Sequence, residues 1–160
     1  EFRRVLFRSH LLGKVLFNEL VAIVQALLTL ALAALLLAVP VRFDRLPLLV
    51  VATLVGTAGW FFFYAIFALR IRRNDAYNTV TSVFYFVFLF ASSMFYPLDP
   101  LPRYFRLAAL ANPITWHIDV LRYATIGVGD PGRVAVEGVA FLIFTAAAFA
   151  AAIRALEDAG

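Results

Sequence analysis

Apolar residues fall into four blocks, each closed by a proline or by arginine. The first runs from Leu20 to Val39 and stops at Pro40. The second runs from Leu46 to Leu69 and meets Arg70-Ile71-Arg72-Arg73. The third covers 76–96 and stops at Pro97; the fourth covers 134–153, holds Glu137 near its start and stops at Arg154. Each block is long enough to cross a bilayer, which takes roughly 20 apolar residues as helix. Apolar positions surround the blocks on every side, the pattern expected where lipid and neighbouring helices are the surroundings. Ala52, Gly56 and Gly59 make a strip of small residues suited to close helix approach, more simply inside one subunit than between two. The pattern predicts an all-α integral membrane fold with four transmembrane helices and no second domain.

Between 97 and 132 the pattern changes. Asp99 precedes Pro100 and Pro102, which predicts a capped short helix running to about Ala111, with Arg103 and Arg106 on one face. Such a helix is about 15 Å long at 1.5 Å per residue, half of what spanning requires. Asn112-Pro113 repeats the device and opens an amphipathic helix to Ile126, with Ile114, Ile118, Leu121 and Thr125 on its apolar face and Gly127 placed to end it. Asp119 and Arg122, three apart, can pair on one turn. Gly127, Gly129, Asp130, Pro131 and Gly132 make a loop before the last block. Non-helical backbone persists at membrane depth only where protein or a water-filled cavity satisfies it. The two half-helices are therefore expected to be interfacial or re-entrant, and in use.

Composition agrees with the pattern. The 160 residues are 64% hydrophobic and 15% charged, against roughly 45–50% and 25% in soluble domains. The net charge of +4 would permit nucleic-acid binding. The basic residues are scattered between apolar runs, however, with no basic face, so membrane placement explains them better and no nucleic-acid partner is expected. The absence of cysteine removes disulfides, thiolate metal sites and cysteine nucleophiles. Arg70, Arg72 and Arg73 form the densest basic turn and argue for a cytoplasmic loop. That orientation puts His10, Lys14 and Arg154 inside and the 40–45 turn outside. It also leaves Arg42, Arg45, Arg103, Arg106, Arg122 and Arg133 outside, nearly balanced by acids, so charge supports it only modestly.

Candidate chemistry is sparse. Gly13-Lys14 is no phosphate-binding loop, because Arg8 stands where its first glycine belongs and Val15 where Ser or Thr must follow. The chain therefore has no ATPase site, and any energy for its work comes from a partner. His10 and His117 are too far apart to suggest a metal pair, and His117 reads as an interfacial helix residue. Asp99 and Asp119 could form a carboxylate pair for acid–base chemistry, but capping and the ion pair with Arg122 account for them. Glu19 and Glu137 sit near span ends, where charge is cheaper than at the bilayer centre. The aromatic runs at 60–64 and 84–90 suit lipid-facing or interhelical packing, and could also line a path for an apolar substrate.

Glu1 to Ser9, EFRRVLFRS, is similar to a translated sequencing-library adapter. Native sequence is accordingly expected from about His10, and without residues 1–9 the charge is +2.

The spelling Phe-Tyr-Pro-Leu-Asp, then Leu-Pro, Asn-Pro-Ile-Thr and Asp-Val-Leu-Arg resembles the signature region of type-2 ABC exporter permeases. The resemblance covers His10 to Ala155 and is strongest from Ser92 to Arg122. It implies that Pro97, Asp99, Pro102, Asn112, Pro113, Asp119 and Arg122 form an outer gate or support segment. His10, Gly13 and Lys14 would be the remnant of a cytoplasmic coupling region, and Arg70, Arg72 and Arg73 a cytoplasmic turn. It further implies the last four of six transmembrane helices, no cofactor of the chain's own, and ATP bound by a separate ABC ATPase subunit. A second permease subunit and the lipid bilayer complete the expected partners, in a prokaryotic cytoplasmic membrane with the C-terminus inside. The rival expectations are a membrane enzyme acting on lipids through Asp99, His117 or Asp119, and a non-transporting scaffold.

Overall fold

The computed structural model describes residues 2–159, with side chains at Gly13 and at 16–158. Glu1 and the side chains of the adapter-like residues 2–9, of His10 and of Lys14 lie outside what it describes. In chain order the elements are α1 (Phe2–Leu37), a 3-10 turn (Phe43–Arg45), α2 (Leu46–Arg70), α3 (Asn74–Phe90), α4 (Arg103–Leu110), α5 (Pro113–Ile126) and α6 (Pro131–Ala159). Among the described residues there is no strand. Segments of α1 (Leu16–Leu37), α2 with the preceding turn (Phe43–Arg70) and α6 (Pro131–Asp158) are long and apolar enough to cross a membrane. The third block behaves differently: α3 has 17 residues and stops at Phe90, not at Pro97. At 1.5 Å per residue it is about 26 Å long, short of a hydrocarbon core of about 30 Å.

Helix α2 is the centre of the bundle and packs most extensively on α6, then on α1 and α5. Its strip of small residues is what lets neighbours approach: Ala52, Gly56 and Gly59 are all buried. Gly56 faces the His117 ring on α5, and Gly59 faces Thr145 and Phe141 on α6. The strip is therefore spent on packing within one subunit. Below it, Trp60 lies 5.3 Å from Phe144 and 5.9 Å from Phe88, ring centre to ring centre. Phe63 lies 5.7 Å from Phe88. This cluster ties α2, α3 and α6, each ring pair adding about 0.5–1.5 kcal/mol beyond its area. The aromatic blocks read from the sequence thus include interhelical packing.

Helix α5 runs antiparallel to the first half of α2. Its C-terminal carbonyls meet the turn before α2: the Arg42 amide donates to Thr125 O at 2.7 Å and Arg45 Nη1 to Tyr123 O at 3.0 Å. The Arg45 guanidinium also lies 3.9 Å from the centre of the Tyr123 ring. A cation there satisfies orphan carbonyls and complements the negative end of the helix dipole. Midway, His117 lies against Ala52 and Gly56; at the far end Asn112 reaches the backbone of Phe88, whose ring touches Trp60. The 14 residues of α5 therefore travel about 21 Å, roughly half of α2, from the middle of the bundle to its end. The second half-helix is thus packed against the bundle, with Thr115, Asp119 and Ala124 buried.

Gly127 ends α5 at φ 74, a left-handed conformation that disfavours a Cβ. Gly127→Ala should lower stability by about 1 kcal/mol. Thermal unfolding in detergent checks this.

Candidate functional site

A helix that ends buried in protein leaves carbonyls that something must satisfy. At the end of α3 that something is α5. Asn112 Nδ2 donates to Phe88 O at 2.7 Å and to Ala91 O at 2.8 Å, while its Oδ1 accepts the Ile114 amide at 2.9 Å. One side chain thus closes the C-terminus of α3 and the N-terminus of α5. The Ser92 hydroxyl folds back onto Leu89 O at 2.6 Å. Thr115 Oγ1 accepts the Ser93 amide at 3.1 Å, and Asp119 Oδ1 accepts the Ser93 hydroxyl at 3.0 Å. Arg122 Nη2 donates to Ser93 O at 2.6 Å and to Met94 O at 3.1 Å.

Asn112, Thr115, Asp119 and Arg122 are spaced three, four and three apart, so they form one stripe along α5. The first three are buried, whereas the apolar positions Ile114, Ile118 and Leu121 are only partly covered. The polar face of this helix is the one that faces protein. Its partner is the broken backbone at 91–94.

Charges complete the arrangement. Asp119, with its side chain 8% exposed, pairs with Arg122 at 3.4 Å and with Arg133 of α6 at 3.1 Å. Arg133 Nε also lies 3.4 Å from Glu137 Oε1, and Oε2 of that buried carboxyl has no hydrogen-bond partner. Two acids and two arginines therefore bind the break, α5 and α6 together. Removing one member of a fully buried pair costs about 3–5 kcal/mol. The two arginines are 37% and 52% exposed, so solvent screens part of that. Asp119→Asn should therefore destabilise by about 2 kcal/mol. The cost of Asp119→Asn should be smaller when Arg122 is already methionine, as a double-mutant cycle in detergent will measure.

His117 is wedged between helices, not exposed at an interface. Its Nε2 lies 3.1 Å from Ala52 O, and its ring stacks on Phe141 at 4.8 Å.

The remaining sequence-predicted residues are placed less centrally. Asp99 does not cap α4: the cap position is Pro102, without a side-chain bond, and Asp99 pairs with Arg106 at 3.3 Å while 87% exposed. Residues 98–101 form a turn closed by the Leu101 amide on Leu98 O at 3.2 Å, and Pro102 is extended at φ −53 and ψ 146, so the helix starts only after it and has 8 residues. Pro97 lies exposed in the turn region and is not what ends α3. Pro113 occupies the first turn of α5 behind its Asn112 cap. Arg70, Arg72 and Arg73 are exposed at the α2–α3 junction, and Gly13 is exposed on α1. Asp99, His117 and Asp119 share no partner and do not form one cluster. Among the described residues no group of acidic or histidine side chains could hold a metal ion. Ser93, Thr115, Arg133 and Glu137 were missed from the sequence. The 3-4-3 polar spacing on α5 and the i,i+4 pair Arg133/Glu137 were the signals that could have found them.

A family model described as ABC-2 type transporter matches residues 7–126, most of the chain and all of both half-helices. The chain belongs to the ABC-2 type transporter family. It is a multi-pass membrane component of that transporter class, whose members generally work with an ABC ATPase. Neither a curated protein nor a solved structure matches it. The matched region ends at the last residue of α5, so Arg133 and Glu137 lie beyond it on α6.

Proposed function

We propose that this chain is the membrane-spanning permease subunit of an ABC-type exporter, moving an amphipathic compound such as a drug or lipid out of a prokaryotic cell. A separate ATPase supplies the energy, and a second permease subunit completes the path. The Arg70–Arg73 turn and the C-terminus face the cytoplasm, and the re-entrant segment faces outward. What supports the reading is the α5 stripe, within the family match: the chain break after α3 is braced by Asn112, Thr115, Asp119 and Arg122. Such a break is stable only because protein satisfies it. It can therefore rearrange as a unit when the ATPases close, which is what an outer gate requires.

The test is uptake of a fluorescent amphipath into inside-out vesicles holding the permease and a co-reconstituted ABC ATPase. ATP should drive uptake, and a substitution of the phosphate-loop lysine in the ATPase should abolish it. Arg122→Met should slow uptake without removing the protein from the membrane. Uptake that ignores the ATPase lysine would overturn the exporter reading. Wild-type rates in Arg122→Met would overturn the gate.

A further inference from the structure

A cavity of about 460 Å³ opens between α1, α2 and α5, within the range of about 300–1,000 Å³ typical of small-molecule sites. Its wall is aliphatic apart from Gln25, Thr29, Thr53, Thr57, His117 and Thr125. No carboxylate, lysine or arginine lines it. The hydroxyls of Thr53, Thr57 and Thr125 donate to the carbonyls of Leu49, Thr53 and Leu121 at 2.7–2.9 Å, one turn back on their own helices. Those protons are used, so each threonine oxygen has only acceptor capacity left for a guest. His117 is in the same position. Its Nε2 faces a carbonyl and must carry the proton, which leaves Nδ1 as an acceptor. Gln25 alone offers amide N–H groups.

We propose that this cavity binds the transported compound, and that the compound is an uncharged amphipath whose polar edge carries hydroxyl or N–H donors. This deepens the exporter reading and rests on it. An anionic head would meet no cation, and a cationic head no carboxylate, so either would sit unpaired in a low-dielectric wall. A phospholipid is disfavoured for the same reason. A donor-bearing neutral edge instead matches a row of acceptors left without donors. The row is held in place by Gly56, whose missing Cβ admits the His117 ring.

Three diazirine-bearing probes with the same alkyl chain decide it: a glucoside, a sulfate and a trimethylammonium. Each is photocrosslinked to the full-length permease in nanodiscs without ATP, and labelled peptides are mapped. The glucoside should label α1, α2 and α5 around Thr29, Thr53 and Thr57 in preference to the charged probes. Thr53→Val and Thr57→Val should each lower glucoside labelling about fivefold, the loss of one neutral hydrogen bond of about 1 kcal/mol. Thr57→Ser, which keeps the acceptor, should retain it. Melting temperatures of the variants in the same nanodiscs separate a lost site from a lost fold.

Equal labelling by all three probes would overturn the proposal, as would undiminished labelling of a well-folded double variant T53V/T57V. Because the measurement uses no ATPase, site-specific glucoside labelling alongside failed ATP-driven uptake would leave the site standing and remove the exporter reading. ATP-driven uptake with no labelling of the cavity would do the reverse.

Discussion

Asn112→Leu should be the most damaging single change in this protein, lowering stability by about 4 kcal/mol. Leucine fills a similar volume but removes three hydrogen bonds from a side chain that is buried. The carbonyls of Phe88 and Ala91 and the amide of Ile114 would be left without partners. A buried group stranded in this way costs about 1–3 kcal/mol, and a lost N-cap about 1. Asn112→Asp separates the two roles. Aspartate caps a helix as well as asparagine does, so a pure cap would survive the change. It has no amide hydrogens for Phe88 and Ala91, and its charge would point at two carbonyl oxygens. Asn112→Asp should therefore be nearly as harmful as Asn112→Leu. Unfolding of the purified protein in mixed detergent measures both, and a silent Asn112→Asp would show that the bridge between α3 and α5 carries no weight.

The second large effect is expected at Gly56. A Cβ there would lie 2.1 Å from His117 Cε1 and 2.2 Å from Nε2, distances no real pair of atoms tolerates. In Gly56→Ala the ring must leave, forfeiting its bond to Ala52 O and its stacking on Phe141. Overpacking of this kind costs about 1–3 kcal/mol and the lost hydrogen bond about 1, so a loss of about 3 kcal/mol is expected. The clash has one partner, which makes a double-mutant cycle decisive. With His117→Ala already present, Gly56→Ala should cost less than about 1 kcal/mol. Were the two losses simply additive, the glycine would matter for another reason.

These two sites show what each level of description supplied. The Asn-Pro spelling located the start of α5 to the residue, and Gly127 its end, because caps and left-handed turns are local chemistry. The long apolar blocks announced α1, α2 and α6, because a bilayer demands length and hydrophobicity that composition displays directly. The third block misled. Apolar residues continue to Tyr96, yet α3 stops at Phe90, because a side chain 24 positions away takes its terminal carbonyl. Hydropathy registers which residues lipid accepts and carries no record of such a partner. Asp99 misled for a related reason: capping spelling is read locally, and Asp99 lies in a turn at 98–101, with extended Pro102 delaying the helix to Arg103.

By itself, the sequence determined that this is an all-helical membrane protein with two short helices before its last long apolar block, the second capped by Asn112. Only the tertiary structure decided that α5 turns its polar face inward, that Arg133 and Glu137 join Asp119, and that His117 fills the space opened by Gly56. The limits of α5 follow from the residues that form them. Which face is buried follows from what the neighbouring helices leave unsatisfied, and those neighbours are brought together only by folding.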